Sequence, residues 1–173
     1  MIFNCNTKHI NNLNELKSQF EKEHDLSFFS HGHFNSLIEY QKQLIQTYLN
    51  PSKKDILLDL ACGHGYQLAS IAPIIKMGTG VDWSSTMINY ATKRNGHPNL
   101  KFQILDFNQL HTLSGVFDCV MCIGAFEHFT NHKLCCENVF KKLKKNGKFM
   151  IMTQNGSASV SYTHLRAHET LPY

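Results

Sequence analysis

The side chains best suited to chemistry fall in a few short stretches: Asp59-Leu60-Ala61-Cys62-Gly63-His64-Gly65, Asp82-Trp83, Asp106-Phe107, and Ile123 through Glu127-His128. In the first, an acid near the end of the apolar run Ile56–Leu60 leads into a turn of small residues. The lack of bulk at Ala61, Gly63 and Gly65 lets a backbone turn tightly and approach a ligand closely. Asp82 follows Asp59 by 23 residues, and a carboxylate there can accept both hydroxyls of a ribose. Phe107 would add an apolar wall. His128 is of a residue type suited to a general base, and Glu127 suits holding a donor group.

These residues need a frame that brings strand ends together. The hydrophobic pattern predicts strands at Asp55–Leu60, Thr79–Val81 ending at Asp82, Lys101–Leu105 ending at Asp106, Phe117–Ile123 and Lys148–Thr153. Helices are expected between them. One begins at Tyr66 and is bounded by Pro73; one is capped by Ser84 or Ser85 and stopped by Asn95-Gly96. A third is capped by Asn131 and carries Cys136, Val139, Phe140 and Leu143 on one face. Strands alternating with helical crossovers predict an α/β fold, a Rossmann-like doubly wound parallel sheet of five strands with helices on both faces. Upstream, Thr7–His24 and the stretch from Phe34 to Leu49 read as helices, joined by a polar, aromatic-rich link over Asp25–His33 with His31 and His33. Residues 1–50 thus read as a helical N-terminal cap.

The turn is a poor dinucleotide site. The third glycine of G-x-G-x-x-G falls on Leu68 if counted from Gly63, or on Tyr66 if counted from Ala61. No Gly-Lys-Ser/Thr ending exists for a P-loop. A nicotinamide-dependent oxidoreductase and a non-catalytic Rossmann-like binding module stand as the alternatives to the reading that follows.

Asp59 to Gly65 resembles motif I of the class I S-adenosylmethionine (SAM)-dependent methyltransferases, with Ala61 in place of the first glycine. Phe117-Asp118-Cys119-Val120 to Glu127-His128 is similar to the family's motif IV, and Leu143-Lys144-Lys145-Asn146-Gly147 resembles its turn into strand five. The resemblance implies SAM as cofactor and the strand order 3-2-1-4-5. Asp59, Ala61, Gly63 and Gly65 would then form the cofactor turn, and Asp82 would hold the ribose. Trp83 would flank the adenine, and Asp106 would accept from its amino group. The methyl-donor site would meet the acceptor site between Gly63 and Ile123–Glu127. The family sheet has seven strands, so strands six and seven are expected to be missing here. The stretch Gly124–His128 is also similar to cyclopropane fatty-acid synthases, in which Glu-His at this place helps bind bicarbonate.

Absent motifs narrow the acceptor. No Asn/Asp-Pro-Pro-Tyr/Phe follows strand four, there is no Pro-Cys nucleophile, and the paired glutamates of protein arginine methyltransferases are missing. A small-molecule or lipid-quinone-like acceptor is expected.

Composition bounds the rest. The chain has 173 residues, 42% of them hydrophobic and 17% charged, and a net charge of +4, which suits one globular domain. Lys141, Lys142, Lys144, Lys145 and Lys148 read as a solvated helix end; without interleaved aromatics or arginines they do not make a nucleic-acid patch. Cys119 and Cys122 lie three apart on a strand, on opposite faces, so no metal site is expected. No run approaches a membrane span and no signal-peptide layout opens the chain, so a cytoplasmic location is expected. Val160 to Thr170 matches the translation of a transposase-type sequencing-library adapter. Residues 160–173 are therefore expected to be non-native, leaving 51–159 as a truncated SAM-binding domain.

Overall fold

The computed structural model describes residues 32–154 and 160–166. The first helix expected, Thr7–His24, lies outside the described residues. Of the link Asp25–His33, Gly32 and His33 belong to helix α1 (Gly32–Leu44). That helix runs into a wider π turn, Ile45–Leu49, and is closed by left-handed Asn50 just before Pro51.

The sheet comprises β1 (Ile56–Leu60), β2 (Met77–Asp82), β3 (Leu100–Ile104), β4 (Phe117–Ile123), β5 (Leu143–Gln154) and β6 (Val160–Arg166), in the order β3-β2-β1-β4-β5-β6. Strands β1 to β5 are parallel, in the order expected. The crossovers hold α2 (Tyr66–Ile71), α3 (Ser85–Arg94) and α4 (His132–Lys142). Ser84 caps α3 by accepting the Met87 N–H, and Asn131 caps α4 by accepting the Leu134 N–H. On α4 it is Cys135, not Cys136, that is buried with Val139, while Leu143 has already left the helix.

A sixth strand is added at the edge of the five parallel strands expected. Residues 160–166, set aside in the sequence reading, pair antiparallel with β5 from Lys148↔Arg166 to Gln154↔Val160. The physical reason is that the outer edge of β5 offers a row of main-chain donors and acceptors. Val-Ser-Tyr-Thr-His-Leu-Arg is rich enough in β-branched and aromatic residues to fill it.

Two cores flank the sheet. Leu58, Val120, Cys122, Cys135, Val139 and Phe149 pack on one face; Ile45, Leu49, Leu57, Cys119, Met121 and Met150 pack on the other. Cys119 and Cys122 therefore do face opposite ways.

The lysine run corrects the expectation of a merely solvated helix end. Lys148 donates to the Leu49 carbonyl at 2.6 Å, fastening the end of the π turn to the sheet. Lys142 donates to the carbonyls of His111 and Leu113. Lys144 pairs with both Asp118 oxygens at 2.9 and 2.8 Å, and Asp118 also accepts the Ile56 N–H at 2.8 Å. Asp118, the acid of the motif IV resemblance, is thus a brace between β1, β4 and β5 at the end of the sheet opposite the glycine turn.

Candidate functional site

The chain reverses between β1 and α2 through a turn with alternate residues in the left-handed region: Ala61 at φ 57°, Gly63 at 51° and Gly65 at 76°. Gly63 faces open space, with nothing within 4 Å of where a Cβ would stand. Gly65 is confined: a Cβ there would lie 2.6 Å from the Phe102 ring, which also presses on Gly80. Glycine at 63 thus leaves a ligand room, and glycine at 65 admits the packing of β3 against the turn.

Asp82 organises this turn. One carboxylate oxygen accepts the Gly63 N–H and the other accepts the Ser84 N–H, each at 2.9 Å. The Asp82 carbonyl accepts the Leu105 N–H at 2.9 Å, tying the ends of β2 and β3 together. Asp59 lies beneath, 2% exposed. Its Oδ2 is the buried side-chain oxygen that has no hydrogen-bond partner among the described residues. Burial first, and then the neighbouring Asp82 charge, push the Asp59 carboxyl well above the ordinary carboxylate range. Cys62 beside them is a buried thiol pushed up by its burial and by both acids, which makes it unreactive.

The remaining expected residues divide into two groups. Trp83 is half-buried directly after Asp82. Asp106 lies two residues beyond β3, where its Oδ1 accepts the Asn108 N–H at 2.9 Å and caps a 3-10 turn, Phe107–Thr112. Phe107 stacks on Phe129 at 4.4 Å, so the loop after β3 meets the loop after β4. Ile123 is half-buried at the end of β4, and the next residue, Gly124, donates its N–H to the Met152 carbonyl of β5 at 2.7 Å. Glu127 and His128 sit on a 3-10 turn, Phe126–His128, but differ in setting. Glu127 is half-buried and accepts the Thr153 hydroxyl at 2.7 Å; His128 is exposed.

Sequence reasoning missed several side chains around the turn. His64 is buried, its ring edge-on to Tyr90 at 4.8 Å, and its carbonyl accepts from the Asn95 amide at 2.8 Å. The Tyr66 and Tyr90 hydroxyls are 2.7 Å apart. Burial and that hydrogen bond push the Tyr66 phenol up to about 12, so it stays protonated. A tyrosine opening one helix and another late in the next is the only linear trace of this pair.

Two close, buried carboxylates below an open glycine turn fit a ligand that brings hydroxyl donors and positive charge. The adenosyl and sulfonium groups of SAM meet that description. Asp59, Asp82 and the turn from Ala61 to Gly65 would hold it, with Trp83, Asp106, Phe107 and Ile123 around them.

Comparisons with known proteins agree. A family model described as a methyltransferase domain matches residues 51–171. The chain is similar to an uncharacterized methyltransferase, YcgJ, of Bacillus subtilis (26% identical over 99 residues, 56% of this chain and 39% of YcgJ). It is also similar to a ubiquinone biosynthesis O-methyltransferase of Glaesserella parasuis, 28% identical over 109 residues, 59% of this chain and 46% of that protein. The chain therefore spans less than half the length of these relatives. The crystal structure of YcgJ superposes with a TM-score of 0.61 at 23% identity, covering 66% of this chain and 50% of that one. A coclaurine N-methyltransferase bound to N-methylheliamine and S-adenosylhomocysteine (SAH) superposes at 0.59 and 20% identity, covering 67% and 36%. With its parallel sheet in the order 3-2-1-4-5, its glycine turn and its strand-end acids, the chain belongs to the class I SAM-dependent methyltransferases.

Proposed function

We propose that the protein transfers a methyl group from SAM to a small-molecule acceptor, lipid-quinone-like in character. The observation that carries the reading is the pair Asp59 and Asp82 beneath the open face of Gly63. SAM, when bound, supplies a methyl group already activated on a sulfonium.

The protein's own contribution is placement. Asp82 fixes the turn through the Gly63 and Ser84 amides, and its carboxylate at the end of β2 is the acceptor placed for ribose hydroxyls. Asp59 offers its unpartnered oxygen to a donor group of the cofactor. Holding nucleophile and methyl in line then lowers the barrier by orientation. Glu127, steadied by Thr153, orients a donor group of the acceptor. His128, exposed at the same turn, takes a proton when the acceptor must lose one. Two of the relatives' names support a small acceptor: one belongs to ubiquinone biosynthesis, and one is an N-methyltransferase seen with N-methylheliamine.

Calorimetry with SAH tests the cofactor, and methyl transfer from labelled SAM to a panel of phenols, quinols and amines tests the acceptor. SAH binding with transfer to a phenol or quinol is the expected result. Tighter binding of NAD than of SAH would overturn the reading.

A further inference from the structure

The turn at Ala61–Gly65 is a poor keeper of its own shape. Three of its five residues are left-handed and two are glycines, which have the most conformational freedom to lose. Its geometry must be imposed from outside. Asp82 does so from one side, through the Gly63 N–H. The other side is held by α3 and the residue after it. Tyr90 packs edge-on to His64 at 4.8 Å and shares a 2.7 Å hydroxyl contact with Tyr66, while Asn95 donates to the His64 carbonyl at 2.8 Å. Ala91 stands 3.1 Å from where a Gly65 Cβ would be. These contacts bracket the turn, at His64 within it and at Tyr66 just past it.

We propose that the Tyr66–Tyr90 phenol pair is a positioning device that holds the glycine turn in its ligand-binding shape. The inference rests on the reading of that turn as the SAM site. A turn already shaped loses less freedom when a ligand arrives, so a loosened turn binds more weakly even in a fully folded protein. The phenols act on the ligand through the backbone between Gly63 and Tyr66, not by touching it.

The test is the Tyr90→Phe variant of the full chain, which keeps the ring against His64 and removes the hydroxyl. SAH affinity is measured by calorimetry at a temperature where circular dichroism shows both proteins folded, and melting is followed without ligand. A purely structural hydrogen bond would lower the melting temperature but leave affinity unmoved under those conditions. The expected result is affinity weaker by about three- to tenfold. Tyr66→Phe and the double variant should show the same loss, because the pair acts as one contact. Unchanged affinity in Tyr90→Phe beside a binding wild type would overturn this inference alone. No SAH binding by the wild type would overturn the cofactor reading and this inference with it.

Discussion

Asp82 accepts the Gly63 N–H at 2.9 Å, so the acid ending β2 shapes the glycine turn that follows β1. Its other oxygen accepts the Ser84 N–H, which leads into α3. Asp82→Ala strips both amides of their partner in a region where Asp82 is only 7% exposed. The expected cost is about 2–4 kcal/mol in urea unfolding, at about 1–3 kcal/mol per orphaned group with partial relaxation. SAH affinity should fall at least about tenfold with it, and Asp82→Asn, which keeps one acceptor, should lie between.

Asp59 is expected to oppose stability at neutral pH. Its carboxyl is buried, one oxygen has no partner, and its pKa is raised by burial and then by Asp82. The folded state therefore holds a proton that the unfolded state releases. Its contribution is fully present below the ordinary aspartate range and is lost as pH rises through the raised value. Asp59→Asn should be more stable than wild type by about 1–3 kcal/mol at pH 7, and the advantage should vanish in acid. Paired melts at pH 4 and pH 7 without ligand check this; equal shifts at both pH values would refute it.

Asp118 should show the opposite sign. Burial alone would raise its pKa, but the Ile56 N–H and the Lys144 ammonium together hold it below the ordinary value. The stability it confers is present above the ordinary aspartate range and is lost as pH falls through the lowered one. Asp118→Asn is expected to cost about 1–2 kcal/mol at pH 7, a modest figure because Lys144 is partly solvated. SAH affinity should be unchanged, since Asp118 braces the far end of the sheet.

Ala61 sits at φ 57°, where a Cβ is disfavoured by about 1–2 kcal/mol. Ala61→Gly removes that strain but frees the unfolded chain, which offsets part of the gain. A net stabilisation of about 0.5–1 kcal/mol is expected, readable as a higher midpoint in urea with an unchanged slope.

What could be read from the sequence was local. The caps at Ser84 and Asn131 are visible because each acts on an amide three residues ahead. The strand-end positions of Asp59 and Asp82 follow from apolar runs that stop at acids. What stayed hidden depends on neighbours brought together by folding. Nothing in a lysine-rich run distinguishes Lys148, whose carbonyl partner lies 99 residues earlier, from exposed Lys145. Phe102 reads as an ordinary strand residue until β3 brings it against Gly65 and Gly80. Strand β2 begins at Met77, two residues earlier than expected, because Gly78 lets Leu68 and Leu100 close over it. Asp118 carries no role in the sequence beyond its place in the motif IV resemblance, and its work as a brace shows only once Ile56 and Lys144 are brought to it.

The position of β6 bears on how such a protein can change. It joins at the end of the sheet, against β5, while the Asp82–Gly63 lock lies between β1 and β2 on the other side of β4. Its attachment is a main-chain ladder from Lys148↔Arg166 to Gln154↔Val160, and main-chain groups are common to every sequence. The glycine turn is therefore keyed to a particular side chain, while the outer edge of β5 is paired through its main chain. A strand grafted at the edge of β5 would leave the Asp82–Gly63 contact in place.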